Sequence, residues 1–274
     1  RKQRGMKTNE DLQAYFNTRV SGMLARRGKV MVGWDEILHQ DLPKNTVVHS
    51  WRGQKSLADA ASQGYQGILS NGYYLDYIWP ASQHYAVDPM GKDAAGLPAE
   101  AQKRILGGEA CMWSEWVTAE TIDSRIWPRT AAIAERYWSP ATVTDVPDMY
   151  RRLGAVSRHL DAAGVTHRSG YTAMLDRLAN GGSTEALRGI VDLVEPVKNY
   201  NRGRRAKFTS QMALNRIVDA ARAESDEARG FGQLVDRFLA SRADKDARDA
   251  IVAALTRWQV LVRDVQPAMG APLL

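Results

Sequence analysis

Apolar and polar positions recur along this chain with two periods, and the change between them divides it. Near the start, Thr8 and Asp11 have the spacing of a capping box, and Leu12, Tyr15, Phe16, Val20, Met23 and Leu24 follow at helical intervals. Gly28 marks the end of that helix. The unbroken apolar run "KVMVGW" behind it predicts a strand buried on both faces, as in a parallel sheet covered by helices. The unit then recurs. "NTVVHSW" predicts a strand, "KSLADAASQG" a helix closed by Gly64, and "GILSNGYYLDY" a strand with an irregular tail. After a loop rich in Pro, Gly and Asp, "RILGGEACMW" predicts a fourth strand. A helix from Pro128 to Trp138 follows, with Pro in the first turn where it is tolerated, and "DVPDMYRRLGAVSRHLDAAG" is one more amphipathic helix.

From Tyr171 onward only the helical period remains. The rows Leu214, Ile217, Val218, Ala221, then Phe231, Leu234, Val235, Phe238, then Ile251, Leu255, Trp258, Leu261 predict three or more packed helices. "NGGST", Asn180 to Thr184, is a joint among them. The chain therefore reads as an α/β domain over residues 1–170 and a helical region over 171–274.

Short apolar strands alternating with helices mean a parallel sheet. Each predicted strand ends in an aromatic or acidic residue: Trp34 with Asp35, Trp51, Tyr74 with Asp76, and Trp113 with Glu115. An open doubly wound sheet gathers its ligand at one switch point, whereas in a (β/α)₈ barrel every strand's C-terminal end faces the site. Four consecutive decorated strand ends favour the barrel. No Gly-rich phosphate loop follows any of the strands, which weakens a nucleotide-binding reading.

Composition narrows the classes further. The chain's 274 residues suffice for one large domain or two medium ones. A net charge of +6 invites a nucleic-acid reading, yet the internal basic cluster "NRGRRAK", Asn201 to Lys207, reads as a solvated loop. No nucleic-acid partner is expected. One cysteine, Cys111, excludes a disulfide within the chain, and no Cys/His spacing predicts a metal site. No apolar run approaches the roughly 18 residues of a membrane span.

Pyranose rings offer apolar C–H faces, which suit aromatic planes, and a rim of hydroxyls, which suit carboxylates. A hydrogen bond to a charged acceptor contributes roughly 1.5–3 kcal/mol, enough to choose between epimers. Trp beside Asp or Glu at strand ends therefore predicts a carbohydrate site. By contrast Trp79, Trp116, Trp127, Trp138 and Trp258 read as packing residues.

"GWDEIL", "SWRG", "NGYYLDY", "GGEACMWSEWV" and "RIWPRTAAIAERYWSP", in that order and spacing, resemble the catalytic barrel of glycoside hydrolase family 20, the β-N-acetylhexosaminidases. The resemblance runs from Asn9 to about His167 and matches strands five to eight, the second half of a (β/α)₈ TIM barrel. It implies a retaining, substrate-assisted mechanism in which the sugar's own acetamido oxygen attacks the anomeric carbon, giving an oxazolinium intermediate. In that scheme Tyr74 donates a hydrogen bond to the acetamido carbonyl. Trp34, Trp51 and Trp113 wall the acetamido group and stack on the ring, while Asp76 and Glu115 hold the outer hydroxyls. The implied partners are N-acetylhexosamine-containing glycans or chitooligosaccharides, with no metal or organic cofactor.

The family's catalytic Asp-Glu pair follows a His-x-Gly-Gly motif after the fourth strand. Asp35-Glu36 lacks that context, so a local role at the start of a following helix is expected for it, and structural roles for His49 and His84. The chain thus reads as a fragment without the catalytic pair, inactive in isolation, from an enzyme that removes terminal N-acetylglucosamine or N-acetylgalactosamine. The competing reading is a non-catalytic N-acetyl-sugar-binding module or pseudoenzyme. Gram-negative members of the family are often periplasmic or exported, and the resemblance extends that expectation to this chain.

Overall fold

The computed structural model describes residues 2–182, 184–205, 208–209 and 211–269. Ser183 of the predicted joint, and Ala206 and Lys207 of the basic cluster, lie outside them. The chain divides into two compact units, one of Arg1–Tyr74, Ser82–Cys111 and Ile133–Thr144, the other of Leu75–Ala81, Met112–Ala132 and Asp145–Leu274.

The first unit holds the sheet. Four parallel strands, β1 (Val32–Trp34), β2 (Val47–Ser50), β3 (Gln66–Leu69) and β4 (Ile105–Gly108), pair in sequence order. Before them α1 (Asn9–Ala25) starts on the predicted capping box: the Asp11 amide donates to Thr8 Oγ1 at 3.1 Å, and the Thr8 amide donates back to Asp11 Oδ2 at 2.9 Å. Between β2 and β3 runs α2 (Gln54–Ser62), which buries Leu57, Ala58, Ala60 and Ala61. The core under this layer joins Met31, Ile37, Leu42, Val48, Ala60 and Tyr65.

Two expectations change here. β1 is not buried on both faces, since Val32 and Trp34 are exposed; it stands at one end of the strand order with β2 as its neighbour in the sheet. No α-helix follows β1 either. A 3₁₀ turn, Asp35–Ile37, stands in its place, while the loop between β3 and β4 contains three short helices, α3 (Ala81–Tyr85), α4 (Lys92–Ala95) and α5 (Ala99–Gln102).

Further helices are α6 (Ile122–Ile126), α7 (Arg129–Trp138), which is divided between the units, and α8 (Val146–Ala162), whose N-cap Asp145 accepts from the Asp148 amide at 2.9 Å. In the second unit α9 (Thr172–Ala179) and α10 (Thr184–Leu193) supply most of a core that joins Tyr171, Met174, Leu175, Leu187, Val191 and Val265. The predicted row from Leu214 gives only one short turn of helix, α12 (Ile217–Ala220), after α11 (Asn201–Arg205). α13 (Asp226–Ala240) packs Phe231 on Trp258 of α14 (Lys245–Met269), ring centroids 4.6 Å apart. Trp138, expected to pack, is instead 90% exposed.

The basic cluster departs from its predicted solvated loop. Its described part is the helix α11, and Arg202 pairs with the buried carboxylate of Asp219 while its guanidinium lies 5.0 Å from the Trp116 ring and 4.8 Å from that of Phe208. A carboxylate and two aromatic faces compensate a cation that charge counting alone would leave in water.

Candidate functional site

In the first unit the strand ends of the sheet carry the chemistry. β1 ends in Trp34, whose indole lies flat on the His49 imidazole of β2, centroids 4.3 Å apart and planes 18° from parallel. Asp35 and Glu36, next in the chain, do not cap their own turn. Asp35 is buried and accepts from Arg52 Nε at 2.6 Å, from the Arg52 amide at 3.2 Å and from Ser56 Oγ at 2.9 Å, which fastens the segment after β2. Glu36 grips the Trp51 indole N–H between both carboxylate oxygens, at 2.9 and 3.0 Å. The expected local role is thus of a different kind: there is no following helix to cap, and both carboxylates reach across to the neighbouring strand end.

Trp51 is held a second time, its carbonyl accepting from Asn71 Nδ2 at 3.0 Å. Tyr74 is buried; its hydroxyl accepts from Ser70 Oγ at 3.5 Å, and its backbone bridges in parallel to Cys111. The Gly-Gly pair before Cys111 has two separate causes. Gly107 has φ +128°, a conformation L side chains rarely adopt, and a Cβ on Gly108 would meet the Tyr137 hydroxyl at 2.5 Å. His49 is buried, and burial holds its imidazole below the usual histidine range despite the opposing influence of Glu109. His84 is also buried, its Nδ1 2.8 Å from the Gly72 carbonyl oxygen.

In the second unit Asp76 sits in a 3₁₀ turn, Leu75–Tyr77, with its carboxylate buried. The Trp113 amide donates to Oδ1 at 3.2 Å, and the Tyr200 hydroxyl donates to Oδ2. The same phenol reaches Glu115 Oε2 at 3.2 Å. Burial pushes the Asp76 carboxyl above the usual range, countered by the bonds from Tyr200 and the Trp113 amide. Burial and the Asp76 bond push the Tyr200 phenol up, so it stays protonated.

Two devices hold this turn. Arg129, fully buried, donates to the Leu75 carbonyl at 2.9 Å and the Trp79 carbonyl at 2.8 Å; burial lowers its guanidinium to about 9, still protonated at neutral pH. Consecutive left-handed residues, Asn199 and Tyr200 with φ 57° and 58°, bend the chain so that Trp79 Nε1 donates to Asn199 Oδ1 and the Tyr77 ring meets the Tyr200 ring edge-on at 5.6 Å. Trp113 and Glu115 are exposed, whereas Trp116 packs on Phe208 at 5.0 Å.

Of the six residues singled out in the sequence, Trp34, Trp51 and Tyr74 belong to the first unit and Asp76, Trp113 and Glu115 to the second. Direct bonds join Asp76 to the Trp113 backbone and, through Tyr200, to Glu115. Sequence reasoning missed two residues: Glu36 as the anchor of Trp51, and Tyr200, which lies 124 positions from Asp76 in a segment with no strand or helix period. No local signal could have found Tyr200.

Comparison with known proteins agrees with these observations. The family model "Glycosyl hydrolase family 20, catalytic domain" matches residues 1–141. A beta-hexosaminidase of Porphyromonas gingivalis is 34% identical over 181 residues, 60% of this chain and 23% of that protein. The human beta-hexosaminidase subunit beta is 33% identical over 163 residues, 56% of this chain and 28% of its own. Among solved structures, a Flavobacterium johnsoniae chitobiase superposes with TM-score 0.92 at 39% identity, covering 99% of this chain and 43% of its own. An exo beta-N-acetylglucosaminidase from Vibrio harveyi, in complex with N-acetylglucosamine, gives TM-score 0.55 at 28% identity over 62% of this chain and 29% of its own. The chain therefore spans less than half the length of each of these relatives. These neighbours imply a fold of the TIM-barrel type. With the family model covering more than half of its residues, the chain belongs to glycosyl hydrolase family 20.

Proposed function

We propose that this chain is the C-terminal half of a family 20 catalytic barrel, strands five to eight within residues 1–170, followed by a helical extension over 171–274. The enzyme it belongs to removes terminal non-reducing N-acetylglucosamine or N-acetylgalactosamine by the retaining, substrate-assisted route. Four parallel strands in sequence order, with indoles and a phenol at their C-terminal ends, are the observation that carries this reading.

In the proposal Tyr74 donates to the acetamido carbonyl oxygen as that oxygen attacks the anomeric carbon. Trp34 and Trp51 wall the acetamido group, so that the oxygen is held near its target; in the best intramolecular cases such positioning lowers a barrier by roughly 7–11 kcal/mol. Trp113 lies against a ring face. Asp76 and Glu115 accept from the outer hydroxyls, and Tyr200 sets the direction of their remaining lone pairs. The general acid and the carboxylate that orients the acetamide come from outside this chain, because Asp35 and Glu36 are already engaged with Arg52, Ser56 and Trp51. That engagement also favours the second reading, a module that binds N-acetylated sugar without cleaving it.

Hydrolysis of p-nitrophenyl N-acetylglucosaminide by the purified chain tests the division of labour. No turnover above a Glu115→Ala control is expected; turnover above it would show that the chain carries its own catalytic pair. An upstream His-x-Gly-Gly-Asp-Glu in the same reading frame separates the enzyme from the module.

A further inference from the structure

Three donor atoms of different chemistry converge beside the sheet. His49 Nε2, a Glu109 carboxylate oxygen and Cys111 Sγ all lie within 4.8 Å of one another. Individually, His49 Nε2 is 4.0 Å and Cys111 Sγ 3.9 Å from Glu109 Oε1. The topology brings them together: β2 and β4 both flank β3, His49 lies on β2, and Glu109 and Cys111 follow β4 directly.

The second observation is on the histidine itself. His49 is 6% exposed, and its Nε2 is a buried nitrogen with no hydrogen-bond partner among the described residues. A buried polar atom left in that state keeps its full desolvation penalty, so its retention asks for an explanation. At 4.0 Å the Glu109 oxygen is too distant to be a hydrogen-bond acceptor. It is close to the separation of two ligands on one tetrahedral ion, since metal bonds of about 2.0–2.3 Å at tetrahedral angles put N, O and S donors roughly 3.3–3.8 Å apart. The Trp34 indole, stacked on the imidazole, fixes the plane in which Nε2 points.

We propose that His49, Glu109 and Cys111 form a three-ligand site for a borderline divalent ion of the zinc type, with a fourth position left for water or another ligand. The donor set of one imidazole, one carboxylate and one thiolate selects such ions over magnesium or calcium, which prefer oxygen alone. On binding, the Cys111 thiol gives up its proton to solvent as the sulfur–metal bond forms, one proton per ion, and nothing is oxidised or reduced. The ion binds beside Tyr74, which bridges to Cys111, so the site offers a route by which metal occupancy acts on that residue.

Cobalt(II) titration of the purified, chelator-treated chain tests this. Cys111 is the chain's one cysteine, so any thiolate-to-cobalt charge-transfer band belongs to it. The expected result is a band that saturates at one equivalent with tetrahedral d–d absorption, is abolished in Cys111→Ser, and needs at least tenfold more cobalt in His49→Gln or Glu109→Gln. Zinc should slow alkylation of Cys111 by iodoacetamide at least tenfold in the unmodified chain, with reversal by chelator; this second measurement needs no variant to fold. Cobalt spectra without a thiolate band, or alkylation indifferent to zinc, would overturn the site and leave a His49–Glu109 contact in its place.

Discussion

The hydroxyl of Tyr200 donates a hydrogen bond to the buried carboxylate of Asp76, across 124 positions of sequence. It also reaches Glu115 Oε2 at 3.2 Å, so one phenol links two carboxylates that would otherwise repel across a short gap. Asp76 receives a second bond from the Trp113 amide, which leaves its orientation fixed on both oxygens.

The pH dependence of stability follows from Asp76. Its carboxyl titrates above the unfolded value because burial disfavours the charge. The folded chain therefore binds more protons than the unfolded chain between the two values, and this residue's contribution to stability falls as pH rises through that window. Asp76→Asn should flatten the dependence, since the amide oxygen still accepts from Trp113 and its NH₂ donates to the Tyr200 oxygen. Tyr200→Phe removes a bond that favours the charged form and should move the Asp76 titration further up. Carboxylate carbon NMR over a pH series, with urea unfolding at each pH, measures both; an unmoved Asp76 titration in Tyr200→Phe would contradict the bridge.

Arg129 should prove structural, with a large effect. Arg129→Met orphans the Leu75 and Trp79 carbonyls in the interior, at roughly 1–3 kcal/mol each. The urea midpoint should drop accordingly with an unchanged slope, and Arg129→Lys should recover only part of the loss because a single ammonium does not reproduce the guanidinium's fork.

Glu36 should act on sugar binding through Trp51. Removing a charge-assisted bond of about 1.5 kcal/mol in Glu36→Ala frees the indole and should weaken N-acetylglucosamine affinity about tenfold. Calorimetric titration checks this, with circular dichroism to establish that the fold is intact.

For the complete enzyme, Tyr74→Phe should lower kcat by about 10²–10³-fold, in the range found when a donor to developing charge is removed, with little change in KM. Equal losses in rate and in ground-state inhibitor affinity would contradict the assigned role.

The sheet was legible in the sequence because its strands are short apolar runs closed by glycine and aromatic residues, as at "NTVVHSW" and "GILSNGYYLDY". The exposure of β1 was not, because an apolar run reports what a strand can bury and not which neighbours cover it. Asp35 and Glu36 were expected at the start of a following helix, but a 3₁₀ turn stands there, and their partners Arg52, Ser56 and Trp51 depend on strand register, which sequence spacing does not reveal. Arg202 was misjudged for a related reason: charge counting sees a basic cluster and misses the Asp219 carboxylate and the aromatic faces that receive it. Tyr200 is the extreme case, placed by two left-handed residues in a segment without period.

Saturation-transfer NMR of N-acetylglucosamine with the purified chain tests the central claim most directly, because it detects weak binding and reports which sugar protons touch protein. Strongest transfer to the acetyl methyl, its loss in Trp51→Ala, and no transfer to glucose are the predicted results. Transfer spread evenly over the ring, or equal transfer to glucose, would contradict an indole-walled acetamido site.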